Sequence, residues 1–365
     1  MKEVRAFLEL TGMCLLPVLV LILALCRVPE AGKSVSGGMK TNVTAAKRSG
    51  ETPLSAPRMA AVPAEGAAAE QPVSAPVSAD GSVSVCILID GETQSMTLRD
   101  YLTGVVAAEM PASFEEEALK AQAVAARTDT LYRMLVSHPH SGADCCSDPA
   151  CCKAYSSPDE LRVRWGENYE KWAEKIENAV AETDGEILTY DGEPIFAAFH
   201  ASSDGATECS ENVWLSALPY LRSVSTMETA ADVPRFRESV TFSAAELREA
   251  LTARCGDLTL PEKAESWLTD PVWSESGRLL RVTVGSVSLS GTSLRSVLGL
   301  RSTAVTWTYD GEGSFVFETA GYGHGVGMSQ YGAEAMAASG FGHRDILLHY
   351  YTGAALADLL DVFPA

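Results

Sequence analysis

Between Val83 and Leu88 apolar and polar residues alternate, which predicts a strand, and from Met96 the period changes to that of a helix. Thr97, with Asp100 three residues on, resembles a helix-capping pair, and Pro111 marks the stop. A second helix is expected from Ser113, because Phe114, Ala118, Ala121, Ala125, Thr128, Tyr132 and Leu135 recur at spacings of four and three. The small residues on that face imply close helix contact. A third helix is expected over 168–183, with Tyr169, Trp172, Ile176, Ala179 and Val180 turned inward and Gly185 at its end. Asp191-Gly192 between Ile187–Tyr190 and Ile195–His200 predicts a hairpin. Ser243 with Glu246 opens another capped helix, Leu279–Val284 reads as a strand, and Asp310–Gly313 joins a hairpin between Ala304–Tyr309 and Ser314–Thr319. Helices over 329–338 and 345–351 end at Gly340 and Gly353. Helices interleaved with antiparallel hairpins predict an α+β fold, its elements enclosing a substrate cleft.

The amino-terminal pattern is different. Phe7–Val28 is almost wholly apolar, with Glu9 its only acid, and is long enough to cross ~30 Å of hydrocarbon. Residues 1–28 are therefore expected to be an uncleaved signal anchor; a cleaved signal peptide is the alternative. Residues 29–82 are rich in Ala, Pro, Ser, Gly, Val and Glu and contain no Phe, Trp or Tyr, which predicts a flexible linker. The domain is then expected over 83–363, outside the cytoplasmic membrane and single-pass. A chain starting near Val83 is expected to hold every catalytic group.

Charge and cysteine placement narrow the partners. A net charge of −20 excludes nucleic acid as a reasonable partner and favours a neutral or stripped polymer. Of nine cysteines, Cys145, Cys146, Cys151 and Cys152 form one cluster just after His138 and His140. A disulfide scaffold would spread its pairs across the fold, so the clustering favours metal, with local disulfides as the alternative. Glu109 follows Leu98, Leu102 and Val105 on the apolar stripe of the first helix, at its last turn. Burial there and the unfavourable helix dipole both act to keep its carboxyl protonated, as acid catalysis of glycosidic cleavage requires. A structural glutamate paired with Arg127 is the alternative.

In Gly321-Tyr-Gly-His-Gly-Val-Gly-Met-Ser-Gln-Tyr-Gly-Ala333, glycines alternate with larger residues, so an extended segment would have one bare face open to close approach. This string resembles the signature of the stage II sporulation protein D family, which includes modifiers of cell-wall amidases. Ala108-Glu109-Met110-Pro111, followed by Ala118–Thr128, is similar to the region holding the catalytic glutamate of sporulation lytic transglycosylases. The resemblance implies cleavage of the β-1,4 bond between N-acetylmuramic acid and N-acetylglucosamine to 1,6-anhydro ends, with Glu109 as sole acid and base, in sporulation engulfment. A non-catalytic glycan-binding enhancer of an amidase is the alternative it also carries. His200 matches the family loop and Ser202 lies within it, while Ala201 and Asp204 depart. Tyr322, His324, Gln330 and Tyr331 are expected to contact sugars; for His200 a core histidine is the alternative. Leu298–Thr303 reads as scaffold. Carried over by position, a structural zinc would be held by His140, Cys146, Cys151 and Cys152, with cysteine in place of a family histidine at 151 and with Cys145 and His138 as alternates.

Overall fold

Asp90 and Gly91 both take positive φ (50° and 85°), the conformation of a two-residue hairpin turn matched to strand twist. They join β1 (Ser84–Ile89) to β2 (Glu92–Thr97), preceded by the short α1 (Ala79–Ser82). The computed structural model describes residues 78–362 except His138 and Leu215; the expected anchor, the linker up to residue 77, and residue 363 lie outside them. Among the described residues no helix is long and apolar enough to cross a membrane.

Thr97 caps α2 (Leu98–Glu109) by accepting from the Asp100 N–H. The helix stops where Met110, held extended ahead of Pro111, leaves the helical region (φ −120°, ψ 144°). The next helix, α3 (Glu116–Tyr132), starts three residues later than Ser113, with Glu115 at its N-cap and no side-chain cap. Its apolar stripe ends at Tyr132: the chain passes into a π-helical turn, Arg133–Ser137, where Leu135 is exposed. Alanines on every side let α3 be buried almost completely, packed by α2 and by elements that follow.

After β3 (Cys145–Cys146) come α4 (Pro158–Trp165) and α5 (Tyr169–Glu182). The first of these is unanticipated, although Ser157 and Glu160 form a full capping box and Pro158 takes the first helical turn. The chain continues through β4 (Glu186–Tyr190), β5 (Glu193–Pro194), β6 (Phe199–His200) and α6 (Ser210–Val213). The Asp191-Gly192 turn forms, but only Glu193–Pro194 pairs back on β4; Phe199–His200 leaves to pair elsewhere.

A second, smaller core follows. It comprises β7 (Arg237–Ser243), α7 (Ala244–Arg254), β8 (Leu268–Trp273), β9 (Leu279–Val284), β10 (Val287–Ser290), α8 (Gly291–Leu298), β11 (Val305–Tyr309) and β12 (Ser314–Ala320). Leu247, Leu251, Trp267, Val282, Leu294 and Phe317 fill it, so the single domain expected over 83–363 carries, among the described residues, two large apolar centres and a small third around Val233, Phe236 and Ala320. The chain then returns to the first core with β13 (Met328–Ser329), α9 (Gln330–Ala338), α10 (His343–Tyr350), β14 (Ala355–Asp358) and α11 (Leu359–Val362). The three-stranded sheets β11-β12-β7, β10-β9-β8 and β14-β4-β5 are antiparallel. Two short parallel pairings, β1 with β3 and β6 with β13, join segments distant in sequence.

The fold begins ahead of Val83. Arg127, wholly buried on α3, is held by both carboxylate oxygens of Asp80 at 2.7 and 2.6 Å, so it does not pair with Glu109. Asp184 accepts from Ser78 Oγ and from the N–H groups of Ala79 and Asp80. Removing one partner of a buried ion pair leaves the other charge dehydrated and uncompensated. A chain starting at Val83, or Asp80→Asn, is expected to lose about 3–5 kcal/mol of stability by this principle. Denaturant unfolding checks it; equal stability of chains starting at residues 72 and 83 would overturn the role of this pair.

Candidate active site and metal-ligand cluster

The four alternating glycines do not form an extended strand. Gly321, Gly323, Gly325 and Gly327 all take positive φ (71°, 111°, 84° and 71°), a conformation costly to residues with a Cβ. Each also lies against another part of the protein. A Cβ at Gly321 would stand 2.6 Å from Ser202 O, at Gly323 2.8 Å from His200 Cβ, at Gly325 2.4 Å from Arg278 Cζ, and at Gly327 1.9 Å from Ala198 O. Three of these bare positions let residues 321–328 lie on residues 198–203, where Tyr322 and Ser202 exchange backbone hydrogen bonds of 2.9 and 3.1 Å, and Gly325 makes room for Arg278. This contact sets Gln330 at the start of α9, facing the end of α2.

Glu109 sits at that junction. The Ala154 N–H donates to Oε1 at 2.8 Å, and Gln330 Nε2 donates to Oε2 at 3.1 Å and toward Gln122 Oε1 at 3.5 Å. Burial raises the Glu109 pKa, and these two donors with nearby Lys153 oppose the rise without cancelling it. The carboxyl is thus biased toward its acid form within a setting that also supports the anion.

Two depressions meet at this group. One, of about 500 Å³, is lined by Glu109, Lys153, Phe199, Arg295, Tyr322 and His324 among others. The other, of about 320 Å³, runs past Glu109 to Pro111, Phe114, Arg164, Trp165 and Tyr331. Glu109, Ala201 and Gln330 border both, so an elongated ligand could pass the carboxyl with segments on either side. Asp129 also borders the larger depression, but its Oδ2 accepts from Lys153 Nζ and from Arg133 Nε, which hold it below the usual carboxylate range against the effect of its own burial.

The expected sugar contacts divide. Tyr322 is exposed in the cleft, its ring 4.2 Å from the guanidinium carbon of Arg301, while Tyr331 meets Phe114 edge-on with centroids 5.0 Å apart. His324 lines the cleft, but its Nδ1 accepts from the Val326 N–H at 3.1 Å; burial and the arginines Arg295 and Arg278 push its pKa down to about 4, leaving the ring neutral. His200 is buried and has both nitrogens engaged, Nδ1 with Val326 O at 3.2 Å and Nε2 with Ser203 Oγ at 2.6 Å. Ser202 is fully buried behind it. His200 and Ser202 are thus placed to support the cleft wall, and neither offers a free polar group to the cleft. Sequence reasoning missed Ala154, Gln122, Lys153 and Arg295. The first acts through backbone, which no side-chain pattern reveals, and Gln122 lies inside a segment whose alanines drew attention only to packing.

Four ligand atoms, from His140, Cys146, Cys151 and Cys152, lie within 4.8 Å of one another. His140 Nε2 is 3.4 Å from Cys152 Sγ and 3.6 Å from Cys151 Sγ, and the two sulfurs are 4.0 Å apart. A tetrahedral site with metal–sulfur distances of about 2.3 Å and metal–nitrogen of about 2.0 Å requires spacings of about 3.5–3.8 Å, so this set could hold a metal ion. The seven described cysteines are all free of disulfides. Cys145 is fully buried and is not one of the four, although its thiol meets that of Cys152, and His138 lies outside the described residues.

Such an arrangement, a largely buried glutamate between two donors where two grooves meet in an α+β fold, marks Glu109 as the candidate reactive group of the chain. The family model described as Stage II sporulation protein matches residues 91–190. Stage II sporulation protein D of Bacillus amyloliquefaciens is 36% identical over 356 residues, covering 96% of this chain and 94% of that protein. Its counterpart in Bacillus subtilis (strain 168) is 37% identical over 290 residues, covering 79% and 80%. The chain belongs to the stage II sporulation protein D family. A protein named Amidase enhancer from Bacillus subtilis (strain 168) is 30% identical over 313 residues, covering 70% of this chain and 40% of that protein.

The glycine contacts give a direct test. Gly327→Ala adds a left-handed backbone penalty of about 1–2 kcal/mol to an overpacking cost of about 1–3 kcal/mol, because the Ala198 carbonyl is backbone and cannot swing away. Thermal unfolding should show a fall of at least about 2 kcal/mol. Gly311→Ala, at a turn with nothing within 4 Å of the added Cβ, should lose only the backbone part. Equal losses would refute the close-approach role.

Proposed function

We propose that the chain is a peptidoglycan lytic transglycosylase that cleaves the bond between N-acetylmuramic acid and N-acetylglucosamine with Glu109 as its only acid and base. The observation that carries this reading is the largely buried Glu109 at the meeting of the two grooves, with its pKa raised and both oxygens held by donors. In its acid form Glu109 gives its proton to the glycosidic oxygen as the bond from C1 breaks. The carboxylate that results is stabilised by the Ala154 N–H and the Gln330 amide. It then takes the proton of the muramoyl 6-hydroxyl while O6 bonds to C1, closing a 1,6-anhydro ring and returning Glu109 to its acid form. No water is consumed, so no second carboxylate is needed, in contrast to the paired groups of a glycoside hydrolase. The commitment of Asp129 to Lys153 and Arg133 fits that scheme. Tyr322 and Tyr331 would offer faces to the sugars, and His200, Ser202 and His324 would shape the wall.

In the same proposal, residues 1–28 anchor the chain in the cell membrane with the domain outside, where it acts on glycan strands during engulfment alongside a cell-wall amidase. A second reading, a non-catalytic glycan binder that enhances an amidase, draws on the relative named Amidase enhancer. Zinc is the metal we assign to His140, Cys146, Cys151 and Cys152. Three thiolates and one imidazole suit it, and four protein ligands leave no open position, which makes its role structural. It would pin the segment that continues through Lys153 to Ala154.

Two experiments test these assignments. Glu109→Gln should abolish anhydro ends in mass analysis of glycan strands and leave binding intact; Glu109→Asp, with the carboxyl drawn back from its ~3 Å reach, should fail nearly as badly. Because the acid form is the active one and burial raises its pKa, wild-type activity should persist above the ordinary glutamate value of about 4.3 and fall as pH climbs through the raised value. Anhydro products from Glu109→Gln at the wild-type rate would sink the catalytic assignment. If wild type releases none and still accelerates an added amidase, the enhancer reading wins. Separately, metal analysis should find one zinc per chain, and chelation should lower the melting temperature strongly, since structural zinc supplies about 10 kcal/mol or more. Zinc-free protein with an unchanged melting temperature would refute the metal assignment.

A further inference from the structure

Among the described residues eight of fifteen arginines meet a carboxylate, as Arg127 meets Asp80, Arg133 Asp129, Arg222 Glu211 and Arg344 Glu186. Arg295 does not. It projects from α8 into the larger depression, beside Tyr322 and His324 and on the same cleft as Glu109. Its Nε donates to Leu300 O at 3.1 Å, which fixes the plane of the guanidinium, and among the described residues neither terminal nitrogen has a protein acceptor. Burial holds its pKa below the usual arginine value, with only Tyr322 acting the other way. Arg301 reinforces the positive field from beneath Tyr322, and it too lacks a carboxylate partner among the described residues. A partly dehydrated, immobilised guanidinium with its paired donors open to a cleft is the geometry that receives a planar anion in bidentate fashion.

This argument rests on the glycan reading above. The two sugars of peptidoglycan differ in one respect that such a group can read: muramic acid carries a 3-O-lactyl arm ending in a carboxyl group, and N-acetylglucosamine has none. We propose that Arg295 binds a carboxylate carried by the muramoyl residue and thereby selects muramic acid over N-acetylglucosamine in the part of the cleft it lines. The carboxylate has two sources, the lactyl group itself where no peptide is attached, or the stem peptide where one is.

The test uses the full-length chain with Glu109→Gln to prevent turnover, and calorimetry with three tetrasaccharides. One alternates N-acetylglucosamine with muramic acid bearing a free lactyl group, one carries stem peptides on the same backbone, and one is chitotetraose. A muramoyl ligand should bind about tenfold more tightly than chitotetraose, the scale of one charge-assisted contact. Arg295→Gln should erase that preference by lowering the muramoyl affinity to that for chitotetraose, with circular dichroism and thermal unfolding showing that the variant is folded. Arg295→Lys should restore part of it. Stronger binding of the free-lactyl ligand assigns the carboxylate to the lactyl group, and stronger binding of the peptide-bearing ligand assigns it to the stem. Equal affinity for all three ligands, a preference that survives Arg295→Gln, or binding of none of them overturns the proposal. Wild-type cleavage is read separately: a chain that discriminates but forms no anhydro ends keeps this inference and loses the lytic one, and a chain that cleaves without discriminating does the reverse.

Discussion

A carboxyl group taken out of water has to be given partners or it will disrupt the fold that buries it. Glu109 receives two, and each comes from a different part of the chain: a backbone N–H from the segment after the cysteine cluster and a side-chain amide from the start of α9. Neither donor segment is near Glu109 in sequence. The glycine contacts with residues 198–203 position one, and the turn that gathers His140 and the three cysteines leads into the other. The long-range pairings of β1 with β3 and β6 with β13, small as they are, matter because they fix these two approaches.

Much of this was legible in the sequence wherever the signal is local. Capping pairs at Thr97–Asp100 and Ser243–Glu246, the positive-φ turn at Asp191-Gly192 and the spacing that puts Glu109 on an apolar stripe all reflect chemistry within a few residues. The same logic would have found α4 from Ser157, Pro158 and Glu160. The four residues to which the family likeness pointed as metal ligands lie together.

Illegible features depend on encounters between distant segments. Alternation of glycines suggests a strand when read alone, yet each position is glycine because a particular carbonyl, side chain or guanidinium occupies the space of its Cβ. His200 looks like a ligand-contact residue at the end of a strand until Val326 and Ser203 are seen to take both ring nitrogens. Composition assigned Asp80 to a linker because nothing nearby shows that Arg127, 47 residues on, needs a counter-charge. Arg295 gave no signal, since the absence of a partner is a property of three dimensions.

The amino-terminal contacts also have a mechanical meaning. Tension applied to the chain ahead of Ser78 would be shared first among the three hydrogen bonds on Asp184, then pass through Asp80 to Arg127 in the middle of α3. The load thus enters α3, a helix buried along most of its length, and through Arg99, which donates to Ser78 Oγ at 2.9 Å, it also reaches α2, the helix that ends in Glu109. A pull from that end would therefore be felt by both helices that bring Glu109 and Gln122 together.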